Sequence, residues 1–397
     1  MIKLLGLQVF DGPSIYSHKP VVRLLVKMEE YIDTPSTEIK GLYYHLVSHF
    51  PGLASHHCSK GYAGGFLERL EEGTYLAHII EHLCLEIQSV LGYDVRYGKT
   101  RRAEDDCYDI VFGYKKRQII RACIHFIMNF IISFLDQLDF DFERGMDRIR
   151  ELNKRLLPER YRPAAIPLIS VAGTSGNTAV CSIISRLLQK AGYRTGMANA
   201  KGLFRNDICM ERRYAANYSG ARKILSNPSM DAAILETGWQ SILHEGLAYS
   251  KADVGVLTGL DADCPMLHIQ SLVAEAVKQD GASVLNADDR HIVPLMERAK
   301  GRIILFAQKG DTPVIRNHMI RGGEAIFPDR ECIYSVRDRT KRSLARLEDI
   351  PLSSGTADGG NHPALAAAAV CSALGIPLGR AGDHLLQKLG TARTSSV

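Results

Sequence analysis

Charge of one sign, paired cysteines and long hydrophobic runs are all scarce in this sequence. The 49 basic and 44 acidic residues leave a formal charge of only +5, too small to indicate a nucleic-acid partner. Nine cysteines are scattered without a CxxC pair, which argues against a disulfide framework and favours a reducing cytoplasm. No membrane span is expected, because the longest apolar run, residues 119–135, is interrupted by Arg121, His125 and Asn129 and falls short of roughly 20 residues.

The remaining composition is that of a folded globular protein, with 46% hydrophobic and 23% charged residues. The first twelve residues reach Asp11 and Gly12 too early for a signal peptide. A length of 397 residues predicts two or three domains. The proline-containing, charged stretch LLPERYRPAAIP predicts a boundary near residue 160, which separates a domain over residues 1–160 from one over 161–397.

Apolar patterning predicts the architecture of each domain. The first domain is expected to be mixed α+β, with a strand over 109–114 and helices over 21–31, 64–70, 75–91 and 119–138. In the second domain apolar strands alternate with helices, which predicts a doubly wound, mostly parallel sheet. Its predicted strands cover 167–173, 232–237, 254–259, 283–288, 302–308, 313–320, 324–328 and 331–336, and its predicted helices cover 180–193, 271–279 and 362–375.

The strongest chemical pattern is HIIEH at residues 78–82, inside a predicted helix. It has the HxxEH order of the inverzincin metalloproteases. His78 and His82 lie on one helical face about 6 Å apart along the axis, so both imidazoles can bind one zinc ion. Glu81 is placed to take a proton from a zinc-bound water, whose pKa the metal lowers to near 7. The pattern predicts a zinc hydrolase with Glu81 as its base; two histidines spaced by chance are the alternative.

The third zinc ligand must come from another segment. Glu86 lies about 12 Å along the helix from His78, so we expect it to contact His82 rather than the metal. The segment SHHCSKG offers His56, His57 and Cys58, and the pattern does not choose among them.

A glycine-rich loop follows the first predicted strand of the second domain. Backbone amides and a helix N-terminus at such a position attract anions. Nucleotide-hydrolysing loops, however, need a lysine where this loop has an amide, so binding of ATP and Mg²⁺ is doubtful and a plain strand-to-helix turn is the alternative. The loop residues are Gly173, Thr174, Ser175, Gly176, Asn177 and Thr178.

Two long segments resemble a known family. Residues 8–145 resemble the N-terminal domain of cyanophycin synthetases, through GPSIYSHKPVV, PGLASHHCSKGYAGGFLERLEEGTYLAHIIEHLCLEIQ and VRYGKTR. Residues 165–390 resemble the Mur-ligase-like module of the same enzymes, through ISVAGTSGNT, DAAILETGWQSILHEGLAYSKADVGVLTGL, SVLNADDRHIV and GNHPALAAAAVCSALGIP. The ATP-grasp domain that separates these modules in the family is absent, and the sequence stops before the family's last Mur domain.

The resemblance implies chemistry on cyanophycin, a poly-aspartate chain with arginine on its side-chain carboxylates. In the family the ATP-grasp module adds aspartate and the Mur-like module adds arginine. The N-terminal domain binds the polymer and, in some members, is a metal-dependent hydrolase that cuts it. That hydrolase role falls here on His78, Glu81 and His82.

The Mur-like segment departs from the family's pattern at several positions. Asn177 replaces the loop lysine, Trp239 replaces an arginine, and Cys264, which follows the retained Asp263, replaces a metal-binding histidine. These losses predict that ligase activity is lost. The family's residues are retained at Glu236, Lys278, Asn286 and Asp289.

We therefore expect a zinc-dependent hydrolase of cyanophycin or a related Asp/Arg polymer, with an inactive Mur-ligase-like half. One alternative is an ATP-dependent Mur-type amide ligase of the cyanophycin synthetase kind. Another is a non-catalytic, polymer-binding partner of a full-length synthetase. The expected partners are the polymer and either a second copy of this chain or a full-length synthetase, with no nucleic acid and no membrane.

Overall fold

The computed structural model describes residues 2–103, 106–156, 166–260, 266–350 and 361–378. The chain forms two compact units, Met1–Gly12 with Lys19–Arg160 and Pro13–His18 with Tyr161–Val397. Asp263 and Cys264, singled out in the sequence, lie outside the described residues.

The first unit combines a small antiparallel sheet with helices. The sheet has the order β1-β2-β4-β3, and helices α3 and α4 contribute many of the apolar side chains of its core. The elements are β1 (Lys3–Phe10), β2 (Val21–Lys27), α1 (Leu42–His49), α2 (Gly65–Glu72), α3 (Leu76–Val90), β3 (Gly98–Arg102), β4 (Cys107–Gly113), α4 (Arg117–Leu135) and α5 (Phe142–Arg155). Short 3-10 turns cover Glu29–Tyr31, Ser36–Glu38, Pro51–Ser55 and Cys58–Lys60.

The helix predicted over residues 21–31 is wrong. This segment forms strand β2, which pairs with β1 on one side and β4 on the other, followed by a 3-10 turn. Val22, Leu24 and Val26 are fully buried, whereas Arg23 and Leu25 between them are only half-buried. This period-two burial is the signature of a strand, and the run of apolar residues obscured it.

Helix α4 is long and apolar enough to pass the length and composition test for a membrane span, and 50% of its apolar window is buried inside the protein. Its exposed residues are spaced for one helical face and are polar, whereas Cys123 and Ile127 lie in the core. This amphipathic burial is that of a core helix. The exposed residues are Arg117, Gln118, Arg121, His125 and Asn129.

A half-buried histidine, His45, is expected to make the first unit sensitive to acid. The ring of His45 stacks on Phe130 and Phe134 with centroids 4.4 and 4.3 Å away, and its Nε2 has no partner among the described residues. Burial, with a smaller effect of His49, lowers the pKa of His45 from 6.5 to about 4. Because the folded pKa is depressed, the stability contribution of the neutral ring is complete above pH 6.5 and is lost as the pH falls towards 4.

Replacing His45 with Phe should reduce this acid sensitivity, because the ring stack is kept and the titratable group is removed. We expect the urea midpoint of His45→Phe to fall less than that of the wild type between pH 7 and about pH 4.5. His125→Phe, on the exposed face of α4, is the control and should keep the wild-type pH dependence. Equal pH dependence in His45→Phe and the wild type would refute this role for His45.

The second unit is built on one large sheet, in the order β15-β14-β13-β12-β11-β10-β5-β9-β6-β7-β8. Its strands are β5 (Leu168–Ala172), β6 (Thr195–Asn199), β7 (Gly202–Arg205), β8 (Ile208–Glu211), β9 (Ala232–Glu236), β10 (Ala252–Leu257), β11 (Val277–Asn286), β12 (Arg302–Phe306), β13 (Glu324–Asp329), β14 (Cys332–Arg337) and β15 (Thr340–Arg346). Its helices are α6 (Asn177–Lys190), α7 (Tyr218–Leu225), α8 (Trp239–Glu245), α9 (Met266–Glu275), α10 (Ile292–Leu295), α11 (Pro313–Ile320) and α12 (His362–Ala373), and a 3-10 turn covers Leu347–Asp349.

The predicted doubly wound, mostly parallel sheet is confirmed. Strands β13 to β6 in the sheet order are parallel, and only the outer strands pair antiparallel. Helices α6 and α12 cover one face, and α7, α8, α9 and α11 cover the other. From β5 the chain first adds strands on the β9 side and later on the β10 side. The carboxyl end of β5 is therefore a topological switch point, where a crevice opens in folds of this class.

Two predicted segments of this unit differ from the structure, and the prediction did not include β6, β7, β8, β15, α7, α8 or α10. The strand predicted over 313–320 is helix α11, because Thr312 accepts a hydrogen bond from the Ile315 amide and Pro313 occupies the first turn, both of which favour a helix start. The helix predicted over 271–279 ends at Glu275, and β11 begins at Val277.

Candidate functional site

A cysteine and two histidines converge in the first unit. Potential ligand atoms of Cys58, His78 and His82 lie within 4.8 Å of one another, and Cys58 Sγ is 3.3 Å from His78 Nε2. Helix α3 presents the two histidines one turn apart. Cys58 begins a 3-10 turn in the left-handed conformation, with φ 52, which is uncommon for a residue with a side chain.

Hydrogen bonds from neighbouring side chains orient both imidazoles. Thr74 Oγ1 lies 2.8 Å from His78 Nδ1, which leaves Nε2 directed at the cluster. His56 Nδ1 lies 2.8 Å from His82 Nδ1, and His56 Nε2 lies 2.9 Å from Glu86 Oε2. Glu86 therefore acts on His82 through His56 rather than by direct contact. Partners of this kind fix the ring orientation of metal-binding histidines.

The donor set fits zinc. Tetrahedral zinc with Zn–S near 2.3 Å and Zn–N near 2.0 Å places sulfur and nitrogen about 3.5 Å apart, close to the 3.3 Å between Cys58 and His78. Of the residues considered for the third ligand, Cys58 lies in the cluster. His57 is exposed and does not belong to the cluster.

Burial keeps the cluster's imidazoles neutral, the form that binds metals. It lowers the pKa of His78 to about 4, with help from Arg69, and the pKa of His82 to about 2, with help from His78 and His56. Burial also raises the pKa of Glu81 to about 7, against the opposing effect of a hydrogen bond from Thr100 on β3.

The cluster lies in the wall of a cavity of about 1030 Å³. Glu81 lines the same cavity, as do the cationic side chains of Arg69, Arg96 and Lys99. Arg96 is paired with Asp94 at 2.9 Å. The cavity therefore combines soft metal ligands with a cationic lining, which favours an anionic ligand.

In the second unit the glycine-rich loop lies at the switch point of the sheet. Gly173 has φ 152, and a Cβ there would overlap the Thr258 side chain at the end of β10, so only glycine fits. Gly176, with φ 75, precedes α6 in the left-handed conformation. Thr174 N donates to Gly259 O at 3.2 Å, which joins this loop to the one after β10.

Asn177, in the place of the expected lysine, is folded into the loop. Its Nδ2 donates to Gly173 O at 2.8 Å, and its Oδ1 accepts a hydrogen bond from Thr258 Oγ1 at 2.7 Å. The side chain therefore ties the loop to the end of β10 and carries no charge to an anion.

Next to the loop, Thr178 and Glu236 form a pair. Thr178 Oγ1 donates to Glu236 Oε2 at 2.8 Å, and the Ala200 amide donates to the same oxygen at 2.9 Å. The Thr178 hydroxyl at the start of α6 and the Glu236 carboxylate at the end of β9 are hard oxygen donors of the kind that Mg²⁺ prefers.

The loop opens into a cavity of about 730 Å³ whose lining includes Thr174, Ser175, Gly176, Asn286 and Asp289. Asn286 Nδ2 donates to Thr258 O at 2.7 Å, and Asp289 accepts hydrogen bonds from the Leu260 and His291 amides.

Lys278 does not share this cavity. It lies near the start of β11, with Nζ 2.6 Å from Asp253 Oδ1, and the eight residue steps from Lys278 to Asn286 span about 26 Å of strand. The prediction had placed Lys278 in a helix over 271–279, so it gave no indication that Lys278 and Asn286 lie at opposite ends of one strand.

Sequence reasoning missed three cationic or titratable residues of this cavity. Arg290 and His291 follow directly after Asp289, and His362 begins α12. His362 Nε2 lies 2.8 Å from Asp288 Oδ2. In the sequence NADDRH, the pair Arg290-His291 directly after Asp288-Asp289 could have marked a binding site. That this segment lies beside the glycine-rich loop depends on the order of the strands in the sheet.

Fold and cavity together define a two-unit α/β protein with a phosphate-type loop at a topological switch point. Residues 23–136 match the cyanophycin synthase-like N-terminal domain. A cyanophycin synthetase of Trichormus variabilis is 31% identical over 219 residues, which cover 53% of this chain and 24% of that protein. One from Synechocystis sp. is 32% identical over 173 residues, 41% of this chain and 20% of that protein.

Solved structures with similar folds include a UDP-N-acetylmuramoyl-L-alanyl-D-glutamate–2,6-diaminopimelate ligase, with a TM-score of 0.40, 15% identity, and coverage of 59% of this chain and 47% of that one. The match to the N-terminal domain and the similarity to the two synthetases confirm the predicted resemblance to the cyanophycin synthetase family. This chain matches about a quarter, 24%, of the length of the Trichormus variabilis cyanophycin synthetase.

The predicted enzyme class requires correction. The curated relatives are synthetases, so the interpretation as a metal-dependent hydrolase without ligase activity is overturned. HIIEH spacing constrains how two imidazoles can meet a metal, but it does not determine the reaction that follows.

Proposed function

We propose that this chain is an ATP-dependent amide ligase of the cyanophycin synthetase type, with the nucleotide bound in the 730 Å³ cavity at the glycine-rich loop. The observation that carries the proposal is the Thr178–Glu236 pair beside a loop that follows a parallel strand and precedes a helix. A ligase of this kind phosphorylates a carboxylate with ATP, and an amine then displaces the phosphate. The resemblance to cyanophycin synthetases supports an aspartate polymer as the source of the carboxylate and arginine as the amine.

Each loop element has a defined part in this reaction. The amides at the start of α6 bind phosphate oxygens, which the helix dipole attracts. The oxygens of Thr178 and Glu236 would hold Mg²⁺, whose charge offsets that of the phosphates. Asn286 and the Asp289 carboxylate hold the loops after β10 and β11 in place around the cavity.

The proposal is tested by ADP formation from Mg·ATP in the presence and absence of the polymer and arginine. We expect ADP release that depends on both acceptor and amine, with arginine incorporated into the polymer. ATP-independent shortening of the polymer, without ADP release, would contradict a ligase.

Asn177→Lys is expected to raise ATP affinity about tenfold, because it adds the charge that such loops use against the β- and γ-phosphates. Isothermal titration calorimetry with Mg·ATP measures the change. Asn177→Gln retains an uncharged amide and is the matched control. Equal affinity of Asn177→Lys and Asn177→Gln would show that the phosphates lie elsewhere.

For the first unit we propose a polymer-binding role supported by a zinc ion. Cys58, His78 and His82 would hold the metal, which would fix the 3-10 turn at Cys58 to helix α3. Arg69 and Lys99, together with Arg96 in its pair with Asp94, give the adjoining cavity cationic side chains suited to the free carboxylates of an Asp/Arg polymer. We also propose a cytoplasmic location, which the free thiols of the described cysteines support.

A further inference from the structure

The nucleotide cavity needs a cation that the loop does not supply. Asn177 of the loop is neutral and is not among the described residues that line the cavity, whereas the carboxylates of Asp288 and Asp289 do line it. Burial alone would raise the pKa of Asp288, but hydrogen bonds from His362 and the Gln308 amide bring it below its usual value. Two carboxylates without a compensating charge would repel a triphosphate.

We propose that Arg290 takes the place of the missing loop lysine and binds the phosphates of a nucleoside triphosphate. Arg290 is the only lysine or arginine among the described residues that line this cavity, and the same cavity is lined by Thr174, Ser175 and Gly176 of the loop. This inference rests on the proposed nucleotide function.

The surroundings of Arg290 leave its guanidinium available. Within the described part of the chain it forms no ion pair, and its Nε donates to His291 Nε2 at 3.2 Å. Asp289 Oδ1 is engaged by the amide and ring of His291, and Asp288 Oδ2 by His362 and the Gln308 amide. The carboxylates nearest in sequence therefore have other partners.

The side chain is also suited to a ligand that arrives from solvent. Arg290 is exposed at the cavity while its backbone follows strand β11, whose end is held by the Asn286 bond to Thr258. An arginine offers several N–H donors in a planar fork that matches phosphate oxygens. His291 and His362 also line the cavity, but each ring is paired with an aspartate.

The test compares ATP, ADP and AMP binding, with Mg²⁺, in the wild type and in Arg290→Gln by titration calorimetry. We expect Arg290→Gln to bind ATP at least about tenfold more weakly and AMP within about twofold of the wild type, because only the outer phosphates lose a partner. Arg290→Lys keeps the charge and should recover most of the ATP affinity. Arg316→Gln, an exposed arginine on α11, is the control and should bind all three nucleotides as the wild type does.

The outcomes separate this inference from the proposed function. If the wild type binds ATP and Arg290→Gln binds it equally well, the assignment of Arg290 fails and the nucleotide site stands. An equal loss of ATP, ADP and AMP affinity would indicate a structural role and also overturn the assignment. If the folded wild type binds no ATP, both the proposed function and the assignment fail.

Discussion

Glu236→Gln is expected to lower ATP-dependent amide formation by at least about 100-fold, the typical effect of removing one group that stabilises charge during the reaction. Glu236 Oε2 is the common acceptor for Thr178 Oγ1 and the Ala200 amide, so the substitution removes the carboxylate while the shape of the side chain is kept. Loss of the negative charge would weaken the binding of Mg²⁺ next to the phosphates. The decisive measurement is the rate of ADP release under saturating polymer and arginine.

A matched substitution separates this effect from general damage. Glu297→Gln removes an exposed carboxylate from the same unit and should retain the wild-type rate. Thermal denaturation of both variants should show a folded protein. A Glu236→Gln variant that retains more than about a third of the wild-type rate would exclude this carboxylate from the reaction.

Cys58→Ser should weaken zinc binding at least about 100-fold. Changes to groups that only orient zinc ligands typically cost 10- to 100-fold, and loss of a thiolate that contacts the metal should cost at least as much. Cys58 Sγ lies 3.3 Å from His78 Nε2, so the substitution removes a thiolate donor that adjoins the histidine ligands. Competition with a fluorescent zinc chelator gives the affinity, and elemental analysis gives the stoichiometry.

Cys107→Ser is the control for Cys58→Ser, because Cys107 is a half-buried cysteine on β4 outside the cluster. The wild type and Cys107→Ser should bind one zinc per chain. If Cys58→Ser binds zinc as tightly as these two proteins, the metal is held by a different set of ligands or binds adventitiously.

Local patterns were enough to predict the centre of the large sheet, but not β6, β7, β8 or β15. Strands β5 and β10 are short apolar runs followed by glycine or polar turns, a pattern that depends on neighbouring residues alone. The failures at 21–31 and 313–320 have the opposite cause. There the apolar residues fit either period, and the outcome was decided by pairing with β1 and β4 or by the Thr312 cap.

The candidate sites show the same division. His78 and His82 were recognisable because both lie on one helix, where spacing determines geometry. The sequence could not predict that Cys58 approaches His78 or that His56 contacts Glu86, because these contacts join segments that are separated in the chain. Arg290 was missed for the same reason: its position at the loop follows from the adjacency of β10 and β11 in the sheet.

Titration of the wild-type protein with Mg·ATP by calorimetry tests the central claim most directly, namely that the cavity at the glycine-rich loop binds a nucleotide for amide ligation. The account predicts saturable binding of one ATP per chain that Glu236→Gln weakens and Asn177→Lys strengthens. The absence of binding at millimolar ATP, in a wild-type protein and an Asn177→Lys variant that are both folded, would contradict it.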